Sequence, residues 1–434
     1  MRYRLRRVPD ILRSLGPTEL ARRLAEAAWH LLFGLACAYR RTFLRSTHLV
    51  AVIGSYGKTT TARAVAAVLL GAPRMNGPWS GVALAVLGTP PGHHHAVVEA
   101  AIIARGQMAR YAYARMLKPD IVVVTSIGYE HNGAVGPVET IRAEKAEMLR
   151  RLPAAGTVVA NGDDPNVRWM VDQTRARRIW FGLDSAHDVG ASDIQLDWPH
   201  GTRFRLHAGG FVREVRTRLV GRHMVYPILA AVAVALAEGW EMDRIVPALE
   251  ALDPTPGRMQ PVRLPGDAWV LRDDFKGSTE TITAALDTLA AIPARRRIVV
   301  LGDGEALFGD PEATHRAFGE HAARVADRVV LFTKDHLAAY RAGFDRGGLP
   351  QGAVVPVGDS VAAAVTAVAT GFDAGDVVLV KGRTQQRLGR VALALAGRPV
   401  RCELPACRAR IRCERCPRLE RGWSGRRVPF EIPP

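Results

Sequence analysis

Short apolar runs punctuated by glycine, proline and charged residues recur along the chain. Leu49 to Ile53, Ala96 to Val98, Ile121 to Thr125, Val158 to Ala160, Ala268 to Leu271 and Ile298 to Leu301 read as buried strands. Between them lie segments of good helix formers: Thr61 to Leu70, Glu139 to Leu152, Ile228 to Glu238 and residues 279–291. Strands alternating with helices predict an α/β fold built on parallel sheets. The stretch Asp253-Pro-Thr-Pro256-Gly257-Arg258 interrupts the alternation and divides it into two doubly wound units. The expected layout is a basic amphipathic segment over 1–48, a central P-loop domain with a parallel sheet over 49–253, a Rossmann-like α/β domain over 254–398, and a Cys/Arg-rich tail over 399–434.

Charge changes the reading of the two ends. The chain of 434 residues carries +17, and residues 1–46 hold ten Arg against Asp10, Glu19 and Glu26, while 399–434 hold nine Arg against four Glu. Basic ends favour an anionic surface; an arginine-rich composition throughout is the competing explanation. The core lacks the interleaved basic and aromatic residues of single-strand binders, so nucleic acid is not the expected partner. Ala27 to Tyr39 is apolar but too short to cross a bilayer, and it runs into Arg40-Arg41. The expectation is a cytoplasmic protein in which residues 1–46 either touch the inner membrane face or pack as a helix on the next domain.

Candidate chemistry centres on Gly54-Ser55-Tyr56-Gly57-Lys58-Thr59-Thr60, which follows one strand and opens one helix. Glycines let backbone approach phosphate, and the helix start attracts negative charge. Lys58 would reach the outer phosphates of ATP and Thr59 would ligate Mg²⁺. The spacing Gly-x-x-Gly-Lys-Thr is two residues shorter than the usual form. Glu99 and His131 also follow strands, at the edge where ligands gather in parallel sheets. Asn161 opens a polar turn suited to a ribose or base. By pattern alone Lys145 is a solvated helix lysine, and His93-His94-His95 is a solvated loop.

Taken together the motifs resemble the ATP-dependent Mur ligases, which form amide bonds in peptidoglycan precursors. The resemblance covers about residues 48–398 and rests on GSYGKTTT (54–61), VVEA (97–100), PDIVVVTSIGYEH (119–131), ETIRAEKAEML (139–149), VVANGDDPN (158–166), GRHMV (221–225), PGRM (256–259), RDDFKG (272–277), VVLGDGE (299–305) and LVKGR (379–383). VLGDGE and the double aspartate lean toward the branch that adds D-alanyl-D-alanine. The resemblance implies that ATP phosphorylates a carboxylate acceptor and that an amino acid or peptide amine displaces the phosphate. It places Lys58 on the transferring phosphate, Thr59 and Glu99 on one Mg²⁺, and His131 with a CO₂-carbamoylated Lys145 on a second. Asn161 would lie near the nucleotide, Arg258 on the γ-phosphate, Asp274 on the ribose and Lys276 near the reacting centre.

Several stretches depart from the family pattern. About 48 residues precede the loop, where peptidoglycan-pathway members carry a UDP-sugar-binding domain, so acceptor and amine donor stay unassigned. The family's His-Asn-x-x-Asn reads His223-Met224-Val225-Tyr226-Pro227, and the Tyr-Asn-Ala-Asn-Pro run after the double aspartate reads Phe275-Lys-Gly-Ser-Thr. Cys402, Cys407, Cys413 and Cys416 form a candidate Zn²⁺ site, with redox-active thiols or an iron–sulfur cluster as alternatives. An ATP-dependent ligase is the main expectation. A non-catalytic nucleotide-binding protein, using the basic ends and the cysteines at a membrane or nucleic acid, is the second.

Overall fold

The structure is a computed structural model that describes residues 17–69, 73–74, 80–101, 113–129, 135–305, 307–409 and 411–422. Helix α1 (Pro17–Thr42) leads into β1 (His48–Ile53), α2 (Lys58–Leu69), β2 (Pro73–Arg74), α3 (Ser80–Leu87) and β3 (His95–Glu99). There follow α4 (Tyr113–Leu117), β4 (Ile121–Val124), α5 (Val138–Arg150), β5 (Thr157–Asn161), α6 (Pro165–Val171) and β6 (Arg177–Phe181). A hairpin region, β7 (Val189–Asp197), β8 (Gly201–Ala208) and β9 (Phe211–Thr217), precedes α7 (Val225–Ala237) and α8 (Met242–Glu250).

These strands form one nine-stranded sheet in the order β2-β3-β1-β4-β5-β6-β7-β8-β9. Neighbours from β2 to β7 run parallel, and β7-β8-β9 run antiparallel. The predicted strands were legible because central parallel strands are covered on both faces and need continuous apolar runs; every residue of β4 is buried. The chain leaves β1 in one direction to β3 and later returns on its other side as β4. That reversal opens a crevice at the carboxyl end of β1. Helix α7 is apolar all round, and Val225 and Pro227 through Ala235 are buried, Ile228 and Leu229 among them. Each large aliphatic side chain so buried contributes about 1.5–3 kcal/mol.

The second sheet uses β10 (Gln260–Arg263), β11 (Trp269–Asp273), β12 (Arg296–Leu301), β13 (Arg328–Leu331), β14 (Val354–Pro356) and β15 (Asp376–Lys381), in the order β10-β11-β15-β12-β13-β14. Only the β10–β11 edge is antiparallel. Helices α9 (Thr279–Ala291), α10 (Pro311–Val325), α11 (Leu337–Gly347), α12 (Val361–Ala369) and α13 (Gly389–Leu395) connect the strands. Asp310 caps α10 by accepting the amides of Glu312 and Ala313. The α/β architecture with two parallel-rich sheets is thus as the pattern predicted. The antiparallel extension is confined to β7, β8 and β9. Across the two units, Trp198 and Trp269 meet edge to face with ring centroids 5.9 Å apart.

At the N-terminal end, α1 packs on the first domain through Trp29, which meets Tyr113 of α4 at 6.1 Å. The buried Arg40 donates to the carbonyls of Leu117 and Lys118, at 2.9 and 3.1 Å, and closes the end of α4. The packed-helix expectation therefore has its contacts. Leu31, Leu35 and Phe43 remain exposed on the outer side. No helix among the described residues is long and apolar enough to cross a membrane.

Candidate active site

The loop between β1 and α2 is fixed by backbone geometry and by its neighbour strand. Gly54 has φ +140°, and a Cβ there would overlap Thr125 Oγ1; Gly57 has φ +79°. Ser55 N donates to Ser126 O at 2.6 Å, Tyr56 N to Ser126 Oγ at 3.2 Å, and Thr125 Oγ1 to Tyr56 O at 2.5 Å. This holds the start of α2, where backbone amides lack intrahelical acceptors, at the crevice beside β1. Lys58 is nearly buried and folds back, its Nζ donating to Ser55 O at 2.7 Å.

Three predicted residues meet at one hydroxyl. Thr59 Oγ1 donates to Glu99 Oε2 at 2.9 Å and accepts from Arg258 Nη2 at 3.1 Å. Arg258 comes from the linker between the domains, and its buried Nε has no partner among the described residues. A half-buried guanidinium with an unbonded Nε, beside a hydroxyl–carboxylate pair, fits an anionic phosphate and its Mg²⁺.

Lys145 corrects the pattern reading. It is 2% exposed, and its Nζ donates to Ser55 Oγ at 2.9 Å. That hydroxyl lies between Gly128 O and N, at 3.2 and 3.1 Å, so Lys145 joins α5 to the loop. His131 lies outside the described residues.

A cavity of about 510 Å³ opens beside the loop, and Thr60, Asn161, Tyr226, Arg258, Asp273, Lys276 and Lys381 contribute to its lining. This size suits a nucleotide-sized ligand. Asn161 orders the turn after β5 by accepting Asp163 N at 3.0 Å. Asp163 accepts from Leu183 N at 2.7 Å, His187 Nε2 at 2.8 Å and Tyr226 Oη at 2.9 Å. Burial would raise the Asp163 pKa, but those donors together hold it below the ordinary carboxylate value. Burial, with Asp163 beside it, raises the Tyr226 phenol, which stays a donor. Tyr226, at the start of α7, and His187, from the turn before β7, thus fix Asp163 at this wall.

The adjacent aspartates diverge. Asp273 lines the cavity, pairs with the fully buried Lys381 and accepts Met259 N at 3.1 Å. Asp274 lies outside that lining, in a smaller cleft, where it accepts Arg272 Nε at 3.0 Å and sits against Gly389. Lys276 faces the cavity with its Nζ 4.0 Å from Glu305 Oε1. Two cavity residues escaped sequence reasoning. Lys381 follows a buried apolar run, Val377 to Val380, a signal that could have found it. Glu280 accepts from Tyr56 Oη at 2.7 Å and from Tyr129 N at 3.3 Å, joining the second domain to the loop.

The four tail cysteines are free, and no three of their sulfurs lie within 4.8 Å of one another, so the expected Zn²⁺ cage is not gathered. Buried arginines take the tail's backbone instead, as Arg390 does with Cys402 O at 2.7 Å. Among the described residues, ligand atoms of Asp303, His315 and His336 do lie within 4.8 Å. The two imidazoles stack at 3.8 Å with planes 12° apart, so no ion can sit in both ring planes. Both nitrogens of His315 are engaged, Nδ1 by Pro311 O at 2.7 Å and Nε2 by Gly304 N at 3.1 Å. The cluster packs the loop after β12.

Residues 52–235 match the Mur ligase middle domain, and residues 257–384 match the Mur ligase glutamate ligase domain. The UDP-N-acetylmuramoyl-tripeptide–D-alanyl-D-alanine ligase of Mycobacterium tuberculosis is 33% identical over 379 residues, spanning 80% of this chain and 72% of that protein. The chain belongs to the Mur ligase family. The ligase of the same name from Escherichia coli is 30% identical to this Mur ligase over 317 residues, spanning 70% and 68% of the two chains. MurF from Acinetobacter baumannii shares its fold, with a TM-score of 0.75 at 22% identity over 85% of this chain and 81% of that one. MurF from Thermotoga maritima, solved in complex with ADP, gives 0.74 at 22% identity over 85% and 83%. This Mur ligase is thus an ATP-dependent, amide-bond-forming enzyme, and the ligase expectation holds over the non-catalytic one.

Proposed function

We propose that this Mur ligase joins a carboxylate of a peptidoglycan precursor to the amine of an amino acid or short peptide. The relatives' names point to a UDP-sugar-linked peptide as acceptor and D-alanyl-D-alanine as donor; the remodelled Tyr226 and Phe275 stretches leave room for other members of both classes. The acceptor carboxylate attacks the γ-phosphorus of ATP, the bond to ADP breaks, and an acyl phosphate forms. The amine then attacks the acyl carbon and expels phosphate. Lys58 and Arg258 carry the charge of the transferring group from opposite domains, and Lys276 faces the reacting centre. Thr59 and Glu99 would hold one Mg²⁺. Carbamoylation would turn the buried Lys145 into an anionic ligand for a second, shared with His131. The observation that carries this reading is the meeting of Arg258, Thr59 and Glu99 at one hydroxyl across the cavity.

The test is a mass-spectrometric screen with Mg²⁺ and ATP, UDP-linked and lipid-linked peptide carboxylates, and a panel of amino acids and dipeptides. Expected is an adduct of acceptor plus amine minus water, formed with one ADP. Lys58→Ala should cut the rate about 100-fold or more. Bicarbonate should raise turnover of the wild type and not of Lys145→Ala. ATP bound with no adduct from any pair would overturn the assignment of these substrate classes.

A further inference from the structure

The family match ends at residue 384, yet the chain goes on to a tail described over residues 401–409 and 411–422. Cys407 N donates to Gln385 O at 2.7 Å, and Arg387 Nε donates to Cys407 O at 3.0 Å. Arg398 bonds Glu414 O at 2.9 Å and pairs with Glu420 at 2.6 Å, beside α14 (Arg418–Arg421). Leu419 is buried. The tail is therefore anchored to the second domain independently of its cysteines.

From that anchorage Arg412 reaches the linker that carries Arg258, and Glu414 reaches β11. Arg412 Nη1 donates to Pro256 O at 2.8 Å, two residues before Arg258. The guanidinium carbons of Arg412 and Arg258 lie 5.4 and 4.7 Å from the centre of the same Phe275 ring. Glu414 pairs with Arg272 at 2.6 Å, and Arg272 in turn holds Asp274, so the loop carrying Phe275 is gripped as well.

We propose that the tail is a brace that positions Arg258 for the outer phosphate of ATP, with Arg412 as the positioning residue. Arg258 stands beside Gly257, whose φ of +69° gives the linker a turn that only its surroundings fix. Its long side chain must cross from the linker to Thr59. Pinning Pro256 O sets where that side chain starts, and contact with the Phe275 ring sets its course. Misplacing a charged group by about 1 Å is enough to lose much of its effect on a bound anion. This rests on the reading of Arg258 as the γ-phosphate ligand.

The test measures Mg²⁺-supported binding of ATP and of ADP to the full chain by calorimetry, together with Tm. Arg258→Ala should lower the preference for ATP over ADP about tenfold, and Arg412→Ala about threefold with Tm little changed. Arg412→Lys, which keeps a donor for Pro256 O and a cation over Phe275, should restore most of the preference. Adding Arg412→Ala to Arg258→Ala should change the ratio no further. A brace that only stabilises the fold would lower Tm in Arg412→Ala and leave the ratio alone, which overturns the proposal. An additive loss in the double variant overturns it too. If Arg258→Ala itself leaves the ratio unchanged, the phosphate role of Arg258 fails first and the brace with it.

Discussion

On the first-domain wall of the cavity, Lys58 and Thr59 stand at the start of a helix held by Gly54 and by bonds to the end of β4. On the second-domain wall, the corresponding cation is Arg258, which rises from a linker and spans the cavity by its own length. Backbone places the first set, and side chains place the second. A backbone cradle is ready before ligand arrives, whereas a side-chain wall needs neighbours to fix it. Lys381, Glu280 and the tail supply that support. The difference places the tunable part of the site in the second domain.

The largest expected effect comes from Lys381→Ala. Lys381 is fully buried, and its loss leaves Asp273 facing the cavity without its partner. Urea denaturation should show a loss of about 3–5 kcal/mol, and exchanging both residues for apolar ones should cost much less. A loss below 1 kcal/mol would mean that this wall is not held by the ion pair. Next is Gly54→Ala, which attacks the backbone cradle. Any Cβ at φ +140° is strained and also meets Thr125. ATP affinity by calorimetry should fall about 100-fold; unchanged affinity would show that the loop relaxes at no cost. The smallest effect belongs to Glu280→Gln, which weakens the bridge to Tyr56 and Tyr129. A change of about 1 kcal/mol in stability is expected, with ATP affinity intact. A larger effect on affinity would make Glu280 part of the site instead of its support.

How much of this was legible in the sequence follows the same division. The backbone-built wall was readable, because strand, glycine loop and helix are local patterns, and Thr59 and Glu99 sit where those patterns end. The side-chain wall was readable only in part. Arg258 came with its family motif, but that Asp273 and not Asp274 lines the cavity depended on how the chain turns after β11. Lys145 looked solvated because helix periodicity separates polar from apolar faces and cannot separate water from a polar site. Asp163 gained its partners from His187 and Tyr226, 24 and 63 residues away, a contact that no local pattern carries. The tail cysteines drew attention by their spacing, whereas the contacts that hold the tail come largely from Arg387, Arg390 and Arg398 ahead of it.

The pair formed by Trp198 and Trp269 has a consequence for how this enzyme can be watched. One indole belongs to each domain, and their rings stand 5.9 Å apart at 70°. Coupling between two indoles so close fades steeply with separation, so any opening of the cavity would change the near-ultraviolet dichroism and emission of the unlabelled protein. The molecule carries its own optical gauge of domain position, built from residues that belong to neither phosphate wall.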